Sequence, residues 1–223
     1  MTVPGLLVLT DRHMAAGAGH DLVEVVSAAV GAGAPTVLLR EKDLPPADRH
    51  SLAVNLRTVT AAAGAGLIVA GDVTLARAVG AAGVHLAADD PWPDDDPAAG
   101  LRVGRSCHTL GELVVAARRG TADYATFSPV FATTSKPGYG PALGIDGLAA
   151  GCRAVAGVGS PLAVYALGGI GPPQAAACLA AGASGVAVMG MVMRADDPGA
   201  VVTSLRNGMA AAASAAAAGR GDG

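Results

Sequence analysis

The stretch Ala163-Val-Tyr-Ala-Leu-Gly-Gly-Ile-Gly-Pro-Pro-Gln-Ala-Ala-Ala-Cys-Leu-Ala-Ala-Gly-Ala-Ser-Gly-Val-Ala-Val-Met189 holds the architecture in miniature. A short apolar run from Ala163 to Leu167 breaks at two glycines, and Pro173 to Ala181 has the length and alanine content of a helix. Gly182 ends that helix, and a second apolar run covers Gly185 to Met189. Short apolar runs bounded by glycine read as strands buried on both faces, and a helix between two of them makes a parallel βαβ unit.

The same alternation extends outward along the chain. Further strands are expected at about Leu6 to Thr10, Thr36 to Arg40, Leu67 to Ala70, Gly83 to Leu86, Arg102 to Arg105 and Tyr124 to Ser128, eight in all. Helices are expected over Leu22 to Ala32, Ala47 to Ala63, Thr74 to Ala81, Leu110 to Arg119, Ile145 to Val155 and Pro198 to Ala216. The gap from Asp89 to Gly100 is dense in Asp and Pro and predicts an irregular loop in place of much of a helix. Glycines in Gly31-Ala-Gly-Ala34 and Ala81-Ala-Gly83 are read, like Gly182, as helix stops. Eight units without a linker predict an α/β fold, a single (β/α)8 TIM barrel over residues 1–208, with an open doubly wound sheet as the runner-up. Residues 209–223 predict an alanine- and glycine-rich tail that is disordered at its end, and its Arg-Gly-Asp triplet is taken as incidental.

Composition bounds the function. The 223 residues carry a net charge of −3 with no Lys/Arg cluster, which argues against a nucleic-acid surface. Hydrophobic residues make up 52% but aromatics only 3%, so packing must rest on Val, Leu, Ile and Ala. Cys107, Cys152 and Cys178 have no CxxC spacing and read as stray thiols of a reduced, cytoplasmic protein. No signal peptide or membrane-spanning run is read.

In such barrels the chemistry lies at the C-terminal strand ends. After the second strand come Arg40-Glu41-Lys42-Asp43, where Arg40 is placed to clamp an anion; a solvated charge cluster is the plainer alternative. After the fifth come Ser106, Cys107 and His108, with His108 the best general acid/base candidate or a structural histidine. His85 lies within a strand and is read as structural, and His13, His20 and His50 as surface residues. The sixth strand runs into Thr133-Thr-Ser-Lys-Pro-Gly-Tyr-Gly140, whose hydroxyls and Lys136 can donate to phosphate oxygens. Gly168 and Gly169 after the seventh strand, and Met189-Gly190 after the eighth, stand where backbone N–H groups commonly hold a phosphate.

Taken in order, Leu39-Arg-Glu-Lys42, Gly83-Val-His-Leu86 with Asp89-Asp90, Gly104-Arg-Ser-Cys-His-Thr109, Thr133-Thr-Ser-Lys136, Leu167-Gly-Gly-Ile170 and Gly185-Val-Ala-Val188 span nearly the whole chain. This combination resembles thiamine phosphate synthase and its paralogue thiazole tautomerase. The resemblance implies an enzyme that joins a hydroxymethylpyrimidine diphosphate to a thiazole phosphate, releasing pyrophosphate with Mg2+ assistance. It implies that Arg40, Lys42 and Lys136 hold the diphosphate, with Ser106, Thr133 and Ser135 as hydroxyl contacts. Gly169 and the backbone near Met189 and Gly190 would hold the thiazole phosphate.

Two departures stand out. Leu38 replaces a glutamine before Leu-Arg. Ala70-Gly71 replaces Asn-Asp after the third strand, which removes one metal carboxylate and leaves Asp90 and the displaced Asp72 as metal candidates. These departures favour the tautomerase, an isomerase using His108 as general acid/base without diphosphate chemistry. A noncatalytic binder of a thiamin intermediate and a sugar-phosphate epimerase or aldolase are further alternatives. Alanine-rich helix faces suit a homodimer.

Overall fold

Each predicted apolar run forms a strand because its flanking glycines, caps and helices leave it no other hydrogen-bonding partners than its neighbouring strands. The structure, a computed structural model, describes residues 5–92, 100–133 and 141–218, with side chains through residue 214. The first half comprises β1 (Leu6–Leu9), α1 (Arg12–Gly17), α2 (Leu22–Gly31), β2 (Thr36–Leu39), α3 (Pro46–Ala62), β3 (Gly66–Ala70), α4 (Val73–Ala78) and β4 (Gly83–Leu86). The second comprises β5 (Arg102–Cys107), α5 (Leu110–Arg119), β6 (Tyr124–Phe127), α6 (Gly144–Gly157), β7 (Ala163–Leu167), α7 (Pro172–Ala180), β8 (Gly185–Val188), α8 (Gly190–Met193) and α9 (Pro198–Ala218). All neighbours are parallel, and β8 closes on β1 with Leu7 opposite Ala187, so the sheet is a closed barrel rather than an open one.

The boundaries moved for local reasons. Asp11 was not read as a cap, yet its carboxylate accepts from Met14 N at 2.9 Å and starts the unpredicted α1. Strand β5 continues to Cys107, because Ser106 and Cys107 pair with Thr126 and Phe127 of β6. Gly33 and Gly182 do stop α2 and α7 with positive φ, but Gly83 lies inside β4, and the left-handed residue after α4 is Gly80. Helix α9 runs to Ala218, so the alanine-rich residues after Met209 belong to it; residues 219–223 lie outside the described residues.

Two sets of side chains divide the core. The outward faces of the strands, including Val8, Val37, Val84 and Val186, pack under the helices. Burying each Val or Leu is worth about 1.5–3 kcal/mol, the main gain that offsets chain ordering. The inward set is Leu7, Leu9, Leu38, Ile68, Ala70, Tyr124, Tyr165 and Ala187. The two tyrosines are the largest side chains of this set, their rings meeting edge-on with centroids 5.6 Å apart.

Those rings fit because glycines face them. A methyl group at Gly104 would overlap the Tyr124 ring and hydroxyl and His85 Nδ1, and one at Gly185 would come within 2.7 Å of Tyr165 Cε1. Gly104→Ala is therefore expected to lose roughly 1–3 kcal/mol of stability through overpacking. Gly111→Ala in α5, with no heavy atom nearer than 3.9 Å, should be neutral or gain up to about 1 kcal/mol. Urea midpoints of the two variants check this, and equal shifts would contradict the packing argument.

Candidate active site

The C-terminal strand ends surround one cavity of about 940 Å³. Every strand or the loop behind it contributes: Thr10 and Asp11 after β1, Arg40 to Asp43 after β2, and Ala70 at the end of β3. His85 and Asp89 come from β4 and its loop, Ser106 and His108 from β5, and Thr126, Ser128 and Thr133 from β6 and its loop. Gly168 and Gly169 follow β7, and Met189 and Gly190 follow β8. The structure thus brings Arg40, Lys42, Ser106, His108, Thr133, Gly168, Gly169, Met189 and Gly190 to one space. Ser135 and Lys136 lie outside the described residues.

The charges after β2 are sorted rather than clustered. Glu41 is buried and accepts from Arg12 N at 3.1 Å and Arg12 Nη1 at 3.0 Å. The other carboxylate, Asp43, takes a two-pronged bond from Arg12 at 2.7 and 2.6 Å and a contact from His13 Nε2 at 3.2 Å. Arg12 first, then His13, hold its carboxyl well below the usual range. Both carboxylates are thereby paired with Arg12, and all four residues after β2 line the cavity.

Arg40 is placed by its own backbone, whose N–H donates to the buried Thr10 Oγ1 at 3.0 Å. Its Nη1 reaches across the mouth to within 3.0 Å of Met189 Sδ and 3.9 Å of Asp11 Oδ2. Beneath it, the buried Arg49 of α3 donates to Ala70 O at 2.6 Å, tying that helix to the end of β3. Arg12, Thr10 and Arg49 were missed from the sequence. The first strand's end carried the signal, since Thr10-Asp11-Arg12 are the polar residues that follow its apolar run.

The cavity floor is a polar chain across β4, β5 and β6. His85 Nδ1 lies 3.0 Å from the Tyr124 hydroxyl and Nε2 lies 3.0 Å from Ser106 Oγ. Burial first, and then the Lys42 charge, push the His85 pKa down to about 3, so the ring is neutral. Burial likewise raises the Tyr124 phenol, which keeps its proton. When Tyr124 donates to Nδ1, the Nε2 proton points at Ser106 Oγ, and the serine proton is left for an anion above. His85 was read as structural; it is a wall of the site as well.

His108 stands one step further out. Its Nδ1 is 3.1 Å from Ser128 O and 3.2 Å from Ser128 Oγ, so that serine orients the ring. Its backbone N–H donates to Glu112 Oε2 at 2.6 Å. On the opposite wall the loops after β6 and β7 are laced together: Val130 N donates to Leu167 O at 2.9 Å and Phe131 N to Gly168 O at 3.1 Å. Gly169, at φ +64°, has Phe131 Cβ only 2.8 Å from where a β-carbon would stand, so the two loops can approach this closely only with glycine there.

The two metal candidates do not come together. Asp72 Oδ1 caps α4 through Leu75 N at 2.8 Å, and its Oδ2 faces Arg49 Nη1 at 3.6 Å, away from the cavity lining. Asp90 Oδ2 accepts from Ala87 N at 2.7 Å and faces Lys42 Nζ at 3.8 Å. Asp89 beside it is exposed at the rim. Arg105 steadies this loop, donating to Ala88 O at 2.7 Å while stacked 4.3 Å from the Trp92 ring. Among the described residues no group of three His, Cys, Asp or Glu side chains could hold a metal ion. The donor set does not fit the two-carboxylate magnesium site that the resemblance implies.

Two cations, a hydroxyl wall and two glycine-bearing loops at the mouth of a (β/α)8 barrel define an enzyme cavity built for phosphorylated ligands. The thiamine monophosphate synthase family profile matches residues 6–192. The chain is 40% identical over 211 residues to thiamine-phosphate synthase of Methanoculleus marisnigri, covering 93% of this chain and 96% of that protein. It is 38% identical over 208 residues to thiamine-phosphate synthase of Chloroflexus aurantiacus, covering 90% of each. The solved thiamine phosphate pyrophosphorylase from Pyrococcus furiosus superposes with a TM-score of 0.79 at 30% identity, over 93% of this chain and 96% of that one. The chain belongs to the thiamine monophosphate synthase family, and it is a transferase of thiamine biosynthesis.

His85 gives the site a pH signature. Its folded pKa of about 3 lies below the ordinary unfolded value, so the unfolded chain binds the extra proton in acid, and stability falls as pH drops from about 6.5 toward 3. Between pH 7 and 4.5 this costs on the order of 2–3 kcal/mol. His85→Gln should remove that part of the slope, read from urea midpoints at the two pH values; parallel profiles would contradict a neutral buried imidazole.

Proposed function

We propose that this enzyme couples hydroxymethylpyrimidine diphosphate with thiazole phosphate to give thiamine phosphate and pyrophosphate. The observation that supports it best is a single cavity lined by Arg40 and Lys42 after β2, by the glycine loops after β7 and β8, and by Ser106 and Thr126. Cations and backbone N–H groups then offer separate places to two anionic substrates.

The reaction breaks the bond from the pyrimidine methylene carbon to the diphosphate oxygen and joins that carbon to the thiazole nitrogen. Negative charge grows on the departing diphosphate, so fixed cations aimed at it lower the barrier. Arg40 serves this from a backbone pinned by Thr10, and Lys42 from the edge beside Asp90. Lys136 is assigned to the same oxygens, with Ser135, Thr133 and Ser106 as hydroxyl donors. Gly168, Gly169 and the N–H groups at Met189 and Gly190 are assigned to the thiazole phosphate. Asp90, facing Lys42 at 3.8 Å, is the remaining metal candidate. The same proposal carries a cytoplasmic location and a homodimer.

Purified protein supplied with both substrates should form thiamine phosphate. Arg40→Ala and Lys136→Ala should each lower kcat/KM by about 10²–10³, and wild-type turnover by either would remove its assigned role. Isomerisation of the thiazole carboxylate phosphate without coupling, lost in His108→Ala, would transfer the chain to the tautomerase function.

A further inference from the structure

At the end of β3, Gly71 adopts φ +68°, and a β-carbon built on it would lie 2.8 Å from Lys42 Nζ, 2.9 Å from Lys42 Cε and 3.6 Å from Asp90 Oδ2. The lysine ammonium occupies the space a side chain at position 71 would need. The backbone beneath it is fixed, because Gly71 N donates to His85 O at 2.8 Å. The next carboxylate in the chain, Asp72, is turned away to cap α4 and face Arg49.

The Lys42–Asp90 pair is loose. At 3.8 Å it is longer than a hydrogen bond, and the lysine side chain is 50% exposed. Such pairs contribute little, so the ammonium can exchange its partner for a phosphate oxygen at small cost. Asp90 is not stranded by the exchange, because its Oδ2 keeps the bond from Ala87 N at 2.7 Å when the ammonium turns to an anion. Lys42 also faces the cavity from the side of Arg40, so both cations would meet one ligand.

We propose that the edge at Gly71 does not hold the divalent ion that the family resemblance implies, and that the diphosphate binds there to Lys42 without a metal. The inference rests on the diphosphate binding proposed above. Lysine holds an anion as a compact, swivelling point charge, whereas a magnesium ion demands an octahedral shell. This cavity edge supplies the first and, among the described residues, not the second.

The test is calorimetric titration with inorganic pyrophosphate, in EDTA and in Mg2+, of wild type, Lys42→Met and Gly71→Asp, with thiamine phosphate formation measured alongside. Wild type should bind pyrophosphate in EDTA with a Kd within about threefold of that in Mg2+. Lys42→Met should bind at least roughly tenfold more weakly in EDTA, as befits loss of a charged contact. Gly71→Asp, which displaces the amine and adds a carboxylate, should bind weakly in EDTA and recover with Mg2+. Wild-type binding that appears only with Mg2+, or Lys42→Met binding in EDTA as wild type does, overturns the proposal. If coupling proceeds in either of those cases, the synthase function stands and this inference alone fails. Absence of both pyrophosphate binding and coupling overturns the two together.

Discussion

Closing eight short strands into a barrel leaves an axial space that must be filled, and here it is filled from a chain with almost no aromatics. Tyr124 and Tyr165 do it, and they can because Gly104 and Gly185 present bare backbone toward them. The rest of the site inherits this solution. A tyrosine hydroxyl at mid-barrel needs a partner, and it finds His85 Nδ1; the other side of the same ring faces Ser106. Packing thus sets the protonation of the cavity floor: the imidazole is too deeply buried to charge, and neutrality lets one nitrogen accept while the other donates.

A second constraint is electrostatic. The chain is acidic overall, yet it must offer positive charge to phosphorylated ligands. Arg12 reconciles the two by taking Glu41 and Asp43 together, which leaves Arg40 and Lys42 with only the long contacts to Asp11 and Asp90. A local cation pair is then obtained without a basic surface. The arrangement also links α1 to the loop after β2, so the element that begins with Asp11 has a part in shaping the mouth as well as in covering the barrel.

Most of the fold was legible because the strands are buried on both faces: continuous apolar runs bounded by glycine have few other readings, and eight of them in sequence close on themselves. Helix ends were less legible. Asp11 capping the short α1 and Gly80 ending α4 depend on backbone geometry that residue type alone underdetermines, which is why Gly83 was read as a stop and lies in a strand. The strand-end rule led to Arg40, Ser106, His108 and the glycine loops. It could not show that Glu41 belongs to Arg12, or that His85 joins Tyr124 and Ser106, since these partners are 29, 39 and 21 residues apart in the chain. Asp72 illustrates the opposite error. One residue from the expected position is enough to turn a carboxylate from the cavity to a helix cap.

That single-residue displacement has a consequence for how the site can evolve and work. A strand end offers one position whose side chain points into the mouth; the next begins the helix and points at its exposed amides. Here the Asp72 carboxylate is committed to that cap and to Arg49, whereas Asp11, which also caps a helix, keeps its second oxygen toward Arg40 in the cavity. The space above Gly71 is taken from neighbouring strand ends, by Lys42 of the β2 loop and, a little further off, by Asp90 of the β4 loop. In the role proposed for it, the ammonium there has only a loose tie to Asp90 to give up before it meets a ligand phosphate. The missing side chain at Gly71 is what makes room for that ammonium.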